Sequence, residues 1–90
     1  SRRQRQMCIR DRYIRVLRDG YISMDMAQNI LVIKTVSGMA MAVAAAVDAM
    51  KWKEVVGCIA GDDTIMCAIR SVQDTEHVMD KIRKIVSKGI

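Results

Sequence analysis

The stretch Gly57-Cys58-Ile59-Ala60-Gly61-Asp62-Asp63-Thr64-Ile65-Met66-Cys67-Ala68-Ile69-Arg70 decides the fold. Two apolar runs rich in strand-favouring residues flank Gly-Asp-Asp, a pattern that predicts a β-hairpin reversing at Asp62 and Asp63. Gly and Asp accept turn dihedrals that branched residues resist, and an Asp side chain can bond the backbone two residues on. The turn therefore has a plain reading, a solvated reversal. It also has a chemical one. Two adjacent carboxylates at the tip of an apolar scaffold suit a cationic small molecule.

Upstream, Lys51-Trp52-Lys53 leads into the hairpin, with Trp52 read as a packing residue at a helix end. Residues 39–50 are dominated by Ala, the strongest helix former, and predict a helix with Ser37 as N-cap. Nearly every side of that helix is apolar, so sheet on one flank and something else on another are expected to enclose it. Ile30-Leu31-Val32-Ile33-Lys34-Thr35 reads as a strand covered on both faces. Residues 21–26 alternate, placing Ile22, Met24 and Met26 on one side and Tyr21, Ser23 and Asp25 on the other. Ala27-Gln28-Asn29 is the turn between these strands. From Tyr13, Ile14 and Leu17 recur at helical spacing up to Gly20.

Downstream of the hairpin, Asp74 is read as the cap of a last helix. Its inner stripe is Val78, Ile82, Ile85 and Val86, with Glu76, Lys81 and Lys84 outside. His77 has no sequence partner for metal or acid–base work, and sites need several convergent groups. The order αββαββα predicts an α+β fold, a four-stranded antiparallel-type sheet packed with helices.

Ninety residues, 51% hydrophobic and without Phe, make one small domain whose core is Ile, Val, Met and Ala. So much apolar surface on so small a body points to burial against another subunit. The net charge of +5 resides in residues 1–20, which carry seven Arg against two Asp, while the remainder is balanced. A balanced body has no electrostatic footprint for direct DNA binding. Residues 1–12 read as a basic N-terminal tail or linker remnant ahead of a domain over 13–90. Cys8, Cys58 and Cys67 are an odd count without a Cys-x-x-Cys pair, as expected of a reduced, cytoplasmic protein. No apolar stretch is long enough for a membrane partner. No metal motif or cofactor loop is evident, and no His, Cys or third carboxylate sits at ligand spacing from the Asp pair. An enzyme is therefore not expected.

Val32-Ile33-Lys34-Thr35, Ser37-Gly38-x-Ala40, Val47-Asp48-x-Met50 and Gly57-Cys58-Ile59-Ala60-Gly61-Asp62-Asp63-Thr64-Ile65 together resemble the C-terminal domain of bacterial arginine repressors. The resemblance covers residues 14–86. It implies a homo-oligomer, a trimer that stacks into a dimer of trimers, with L-arginine as effector and no cofactor. It also implies that Asp62 and Asp63 contact the guanidinium. Asp48 would hold the amino-acid end, with groups at Ala40, Cys58 and Ala60. Met41 stands where the family usually has Gln or a similar polar residue, and Cys58 where Thr is common. Operator DNA would be met by an N-terminal winged helix, for which residues 1–20 are too short. Such a chain would serve transcription regulation of arginine metabolism genes.

Physical chemistry agrees with the implied role. Adjacent carboxylates raise each other's pKa, a cost that a bound cation relieves. A guanidinium offers a planar fork of donors that meets carboxylate oxygens in pairs. The alternative is a purely structural oligomerisation module with a weakened or altered amino-acid site, a reading that Met41 invites.

Overall fold

The computed structural model describes residues 2–87, with side chains from residue 11 onward. Ser1 and residues 88–90, at the outer bounds of the expected tail and domain, and the Cys8 side chain lie outside it. The elements are α1 (Arg2–Gly20), β1 (Tyr21–Ala27), β2 (Ile30–Thr35), α2 (Ala40–Met50), β3 (Val55–Ala60), β4 (Thr64–Ile69) and α3 (Val72–Ser87). The strands form one four-stranded antiparallel sheet, as the αββαββα reading predicts, and their order in it is β1-β2-β4-β3. α1 differs from expectation in length, since it begins at Arg2 rather than near Tyr13.

One side of the sheet carries the core. Leu31 and Ile33 of β2 and Ile65, Cys67 and Ile69 of β4 point into it, against Leu17, Val43, Val47, Val78 and Ile82 of the helices. Each aliphatic side chain fully removed from water there contributes roughly 1.5–3 kcal/mol. The buried hydroxyls are satisfied: Thr35 donates to the Val36 carbonyl at 3.0 Å and Thr75 to the Ser71 carbonyl at 2.8 Å. Trp52 packs against the core as expected, with the Lys81 ammonium 5.5 Å from its ring centre.

Several local expectations are corrected. β2 is covered on one face only, because Leu31, Ile33 and Thr35 are buried while Ile30 and Val32 are half-exposed and Lys34 is open. In β1 a bulge between Tyr21 and Ser23 breaks the alternation. Tyr21 therefore joins Met24 and Met26 against the core, and Ile22 is left 60% exposed. α2 packs on the sheet and on α1, yet Met41, Ala42, Ala45 and Ala49 remain exposed. Ser37 does not cap α2, whose N-cap position is Met39 without a side-chain bond. The cap of α3 is Ser71 rather than Asp74: Ser71 Oγ accepts from the Asp74 N–H at 3.0 Å.

Candidate functional site

The hairpin tip is built by its main chain. Gly61 N–H donates to the Thr64 carbonyl at 2.8 Å, which closes the reversal over Asp62 and Asp63. Among the described residues the left-handed backbone positions are Gln28, Gly38 and Lys51, so this turn does not draw on the special dihedrals that Gly and Asp permit. It is held from outside instead. The Asp62 carbonyl accepts from Gly38 N–H at 3.1 Å and from Ala40 N–H at 3.3 Å. The Asp63 carbonyl accepts from Thr35 N–H at 2.7 Å. Asp62 thus satisfies an N–H at the start of α2 that a capping side chain would otherwise take. Gly38, at φ +82°, supplies the left-handed corner that lets the β2–α2 loop wrap the tip.

This main-chain docking fixes where the carboxylates go. Both Asp residues are exposed. Asp62 Oδ2 accepts from Ser37 Oγ at 3.1 Å, and Asp63 Oδ1 from Thr64 Oγ1 at 3.1 Å. Thr64 Oγ1 in turn accepts from Lys34 Nζ at 3.1 Å. The ion pairs among the described residues are Lys81 with Glu54 and Arg83 with Asp80, so neither tip carboxylate has a cation within pairing distance. Two neighbouring anions are therefore presented side by side, oriented by hydroxyls, with the Lys34 ammonium one hydroxyl away from Asp63 rather than paired with it. In chemical terms, such a pair can accept from a group with several N–H donors and a positive charge.

The remaining candidates lie along the edge next to the tip. α2 packs along β3, with its N-terminus at the hairpin tip and its C-terminal end beside the start of β3. Ala40 is buried, and Met41 beside it is 74% exposed. Ala60 and Cys58 are half-buried on β3. Asp48 is exposed near the far end of α2, about 12 Å of helix from Ala40 at 1.5 Å per residue. The structure thus gathers Ala40, Met41, Ala60, Asp62 and Asp63 at one end of the rim and Asp48 with Cys58 toward the other. Of the seven, Met41, Asp48, Asp62 and Asp63 are exposed, Cys58 and Ala60 half-buried and Ala40 buried.

Ser37, Lys34 and Thr64 frame the tip and were not among the residues read as a site. Lys34 carried a signal, being the lone charge in the apolar run 30–35, and the β2–β4 register sets it opposite Thr64. Ser37, a helix cap by its sequence position, turns to Asp62 instead.

The sheet's other face carries the second functional feature. Ile59 pairs with Met66, and Met66 with Val32, making one cross-strand apolar row. Gly57, Ala68 and Ile30 make the row beside it. Ile59 is 78% exposed, Val56 62% and Met66 50%, around a shallow groove. A contiguous apolar patch of this kind marks an interaction surface. Among the described residues no helix is long and apolar enough to cross a membrane.

A model of the family described as "Arginine repressor, C-terminal domain" matches residues 17–84. The chain is 68% identical over 77 residues to a protein named arginine repressor from Lachnoclostridium phytofermentans, covering 86% of this chain and 51% of that protein. A protein of the same name from Lachnospira eligens is 66% identical over 79 residues, 88% of this chain and 52% of its own. The one from Ruminiclostridium cellulolyticum is 41% identical over 83 residues, with 92% and 55% covered. The chain spans about half the length of the curated relatives it matches.

Proposed function

The chain belongs to the arginine repressor family, by its C-terminal domain, and from that premise we propose that it is the effector-sensing and oligomerisation part of an arginine-responsive transcriptional repressor. The reading is regulatory, not enzymatic, and cytoplasmic, with operator DNA bound through a winged-helix domain elsewhere in the full-length protein. L-arginine is the effector. Its guanidinium meets Asp62 and Asp63, and its amino-acid end meets Asp48 with groups at Ala40, Met41, Cys58 and Ala60.

The observation that carries the reading is the pair of exposed tip carboxylates, held by Ser37 and Thr64 without a direct ion pair among the described residues. Asp48 lies toward the other end of α2, so one chain does not surround an amino acid. The tip of one subunit and the α2 edge of another complete the site at a junction between subunits. In a trimer stacked on a trimer, such junctions gather like charges. Arginine offsets that repulsion and so binds the assembled form preferentially. The apolar sheet face supplies the cohesion between subunits.

Sedimentation at low protein concentration, with and without millimolar L-arginine, tests this reading. Arginine is expected to shift the population toward the hexamer, and an unchanged distribution overturns it. The exposed Met41 favours a second reading, an assembly module whose amino-acid site has weakened. Calorimetry separates the two. Asp63→Asn abolishes the heat of arginine binding in the first reading and changes nothing in the second.

A further inference from the structure

Cys58 and Cys67 face each other across β3 and β4. The 61–64 pair next to the turn is hydrogen-bonded through Gly61 N–H. Antiparallel pairs alternate, so 58–67 is a non-hydrogen-bonded pair, the type in which opposed Cα atoms come to about 4.5 Å and side chains lie closest. That spacing falls at the short end of the Cα window of about 4.4–6.8 Å that disulfides occupy. The two Sγ atoms are hydrogen-bonded at 2.7 Å and both thiols are free. Reaching a bond length of about 2.05 Å needs adjustment of the side chains and no rearrangement of the strands.

The two thiols are not equivalent. Cys67 is buried on β4, whereas Cys58 is half-buried on the edge strand. The hydrogen bond from Cys67 holds the Cys58 thiol below the usual thiol range, against the opposing effects of burial and the Asp48 charge. The same bond, burial and the negative charges of Cys58 and Asp48 push Cys67 up. Cys58 is therefore the thiol that ionises first, and a thiolate is the nucleophile.

We propose that Cys58 and Cys67 are a hydroperoxide-oxidisable dithiol that closes to an intrachain disulfide across β3 and β4. The Cys58 thiolate attacks the outer oxygen of the hydroperoxide. The O–O bond breaks, the alkoxide takes up the proton Cys58 released and leaves as an alcohol, and Cys58 becomes a sulfenic acid. Cys67 sulfur then attacks the Cys58 sulfur, the S–S bond forms, the S–O bond breaks, and hydroxide departs as water with the Cys67 proton. Two thiols lose two electrons and two hydrogens to one hydroperoxide, which yields one alcohol and one water. A dithiol reductant reverses the change by exchange. The new bond ties the edge strand to its neighbour below the tip that carries Asp62 and Asp63, so it restricts the unfolded chain and the separation of the two strands.

The test treats the reduced protein with stoichiometric hydrogen peroxide, then denatures it, counts thiols and maps linked peptides by mass. Thiols are expected to fall from three per chain to one, with Cys58 joined to Cys67 inside a single chain. The thermal midpoint of the folded oxidised protein is expected to rise, and dithiothreitol to return both readouts. Cys67→Ala is expected to leave a sulfenic acid on Cys58 that dimedone captures, while Cys58→Ala leaves Cys67 unlabelled. Three surviving thiols, a linkage through Cys8 or between chains, or equal labelling of Cys67 overturns the proposal. Should Cys67→Ala fail to fold, the thiol count and linkage map of the unaltered chain decide alone.

Discussion

Gly20 requires its glycine and Gly61 does not. A Cβ on Gly20 would stand 2.5 Å from Val43 Cγ2, where α1 ends against α2. Val43 is fully buried and cannot swing aside, so the close approach of the helices depends on the missing methyl. Gly20→Ala is expected to cost about 1–3 kcal/mol, the usual penalty for overpacking a core. At Gly61 an added Cβ would meet the Thr64 carbonyl at 3.6 Å, ordinary contact, and the backbone there is not left-handed. Gly61→Ala is therefore expected to leave the subunit's stability unchanged or raise it by up to about 1 kcal/mol, through a stiffer unfolded chain. Urea unfolding of both variants checks the contrast, and a larger loss at Gly61 than at Gly20 refutes it.

At the scale of elements, the ends of the helices show what a linear reading reaches. Alternation located β1 and an apolar stripe located α3, because burial on one face writes a repeat into the chain, whereas Ala content located α2 and continuous apolar runs the other three strands. Caps were harder, since Ser37, Ser71 and Asp74 are all plausible capping residues and tertiary contacts choose among them. Ser71 caps α3, whereas Ser37 turns to Asp62 because the Asp62 carbonyl already occupies the start of α2. The β1 bulge was equally invisible, for nothing in Tyr21-Ile22-Ser23 announces an extra residue. Of the site, the acidic tip was legible from composition, but its frame of Lys34, Ser37 and Thr64 depends on strand register and loop path. Two predictions belong here. Ser71→Ala is expected to lower stability by about 1 kcal/mol by leaving the Asp74 N–H without its side-chain acceptor, read as a lower thermal midpoint. The second concerns Glu54, which precedes β3 and accepts from Lys81 of α3 at 2.8 Å. That hydrogen bond, with a backbone one, holds the Glu54 carboxyl below its ordinary 4.5. A depressed carboxyl contributes stability that is present above its unfolded pKa and lost as pH falls through the folded one. Glu54→Gln is thus expected to be less stable than the unaltered chain near neutral pH and to converge with it in acid. Denaturant midpoints across pH 3 to 7, a window set by the ordinary carboxylate range, measure the convergence; a constant offset removes the pair's role.

At the scale of the molecule, the unevenness of the sheet is the feature that needs a cause. α2 and α3 cover one face, with α1 packed against both helices, and the other face exposes Ile59, Met66 and Val56 around a groove lined by Gly57 and Ala68. A lone subunit gains nothing from this arrangement, which leaves strongly apolar side chains in water and invites aggregation. A second subunit seated there, as proposed above, would remove that exposure, and the small residues of the inner row would let its side chains descend close to the strands. Exposed positions tolerate substitution in the isolated fold, usually within about 0.5 kcal/mol. A charge on this face therefore acts on assembly rather than on folding. Ile59→Asp is expected to keep the circular dichroism of the unaltered chain while sedimenting as single subunits, because a carboxylate cannot enter an apolar junction without losing its hydration. If the proposed function holds, arginine then fails to drive assembly even though Asp62 and Asp63 are intact, since no second subunit is present to complete the rim. A variant that assembles normally moves the junction elsewhere. The exposed face of α2, with Met41, Ala45 and Ala49, becomes the surface to alter next.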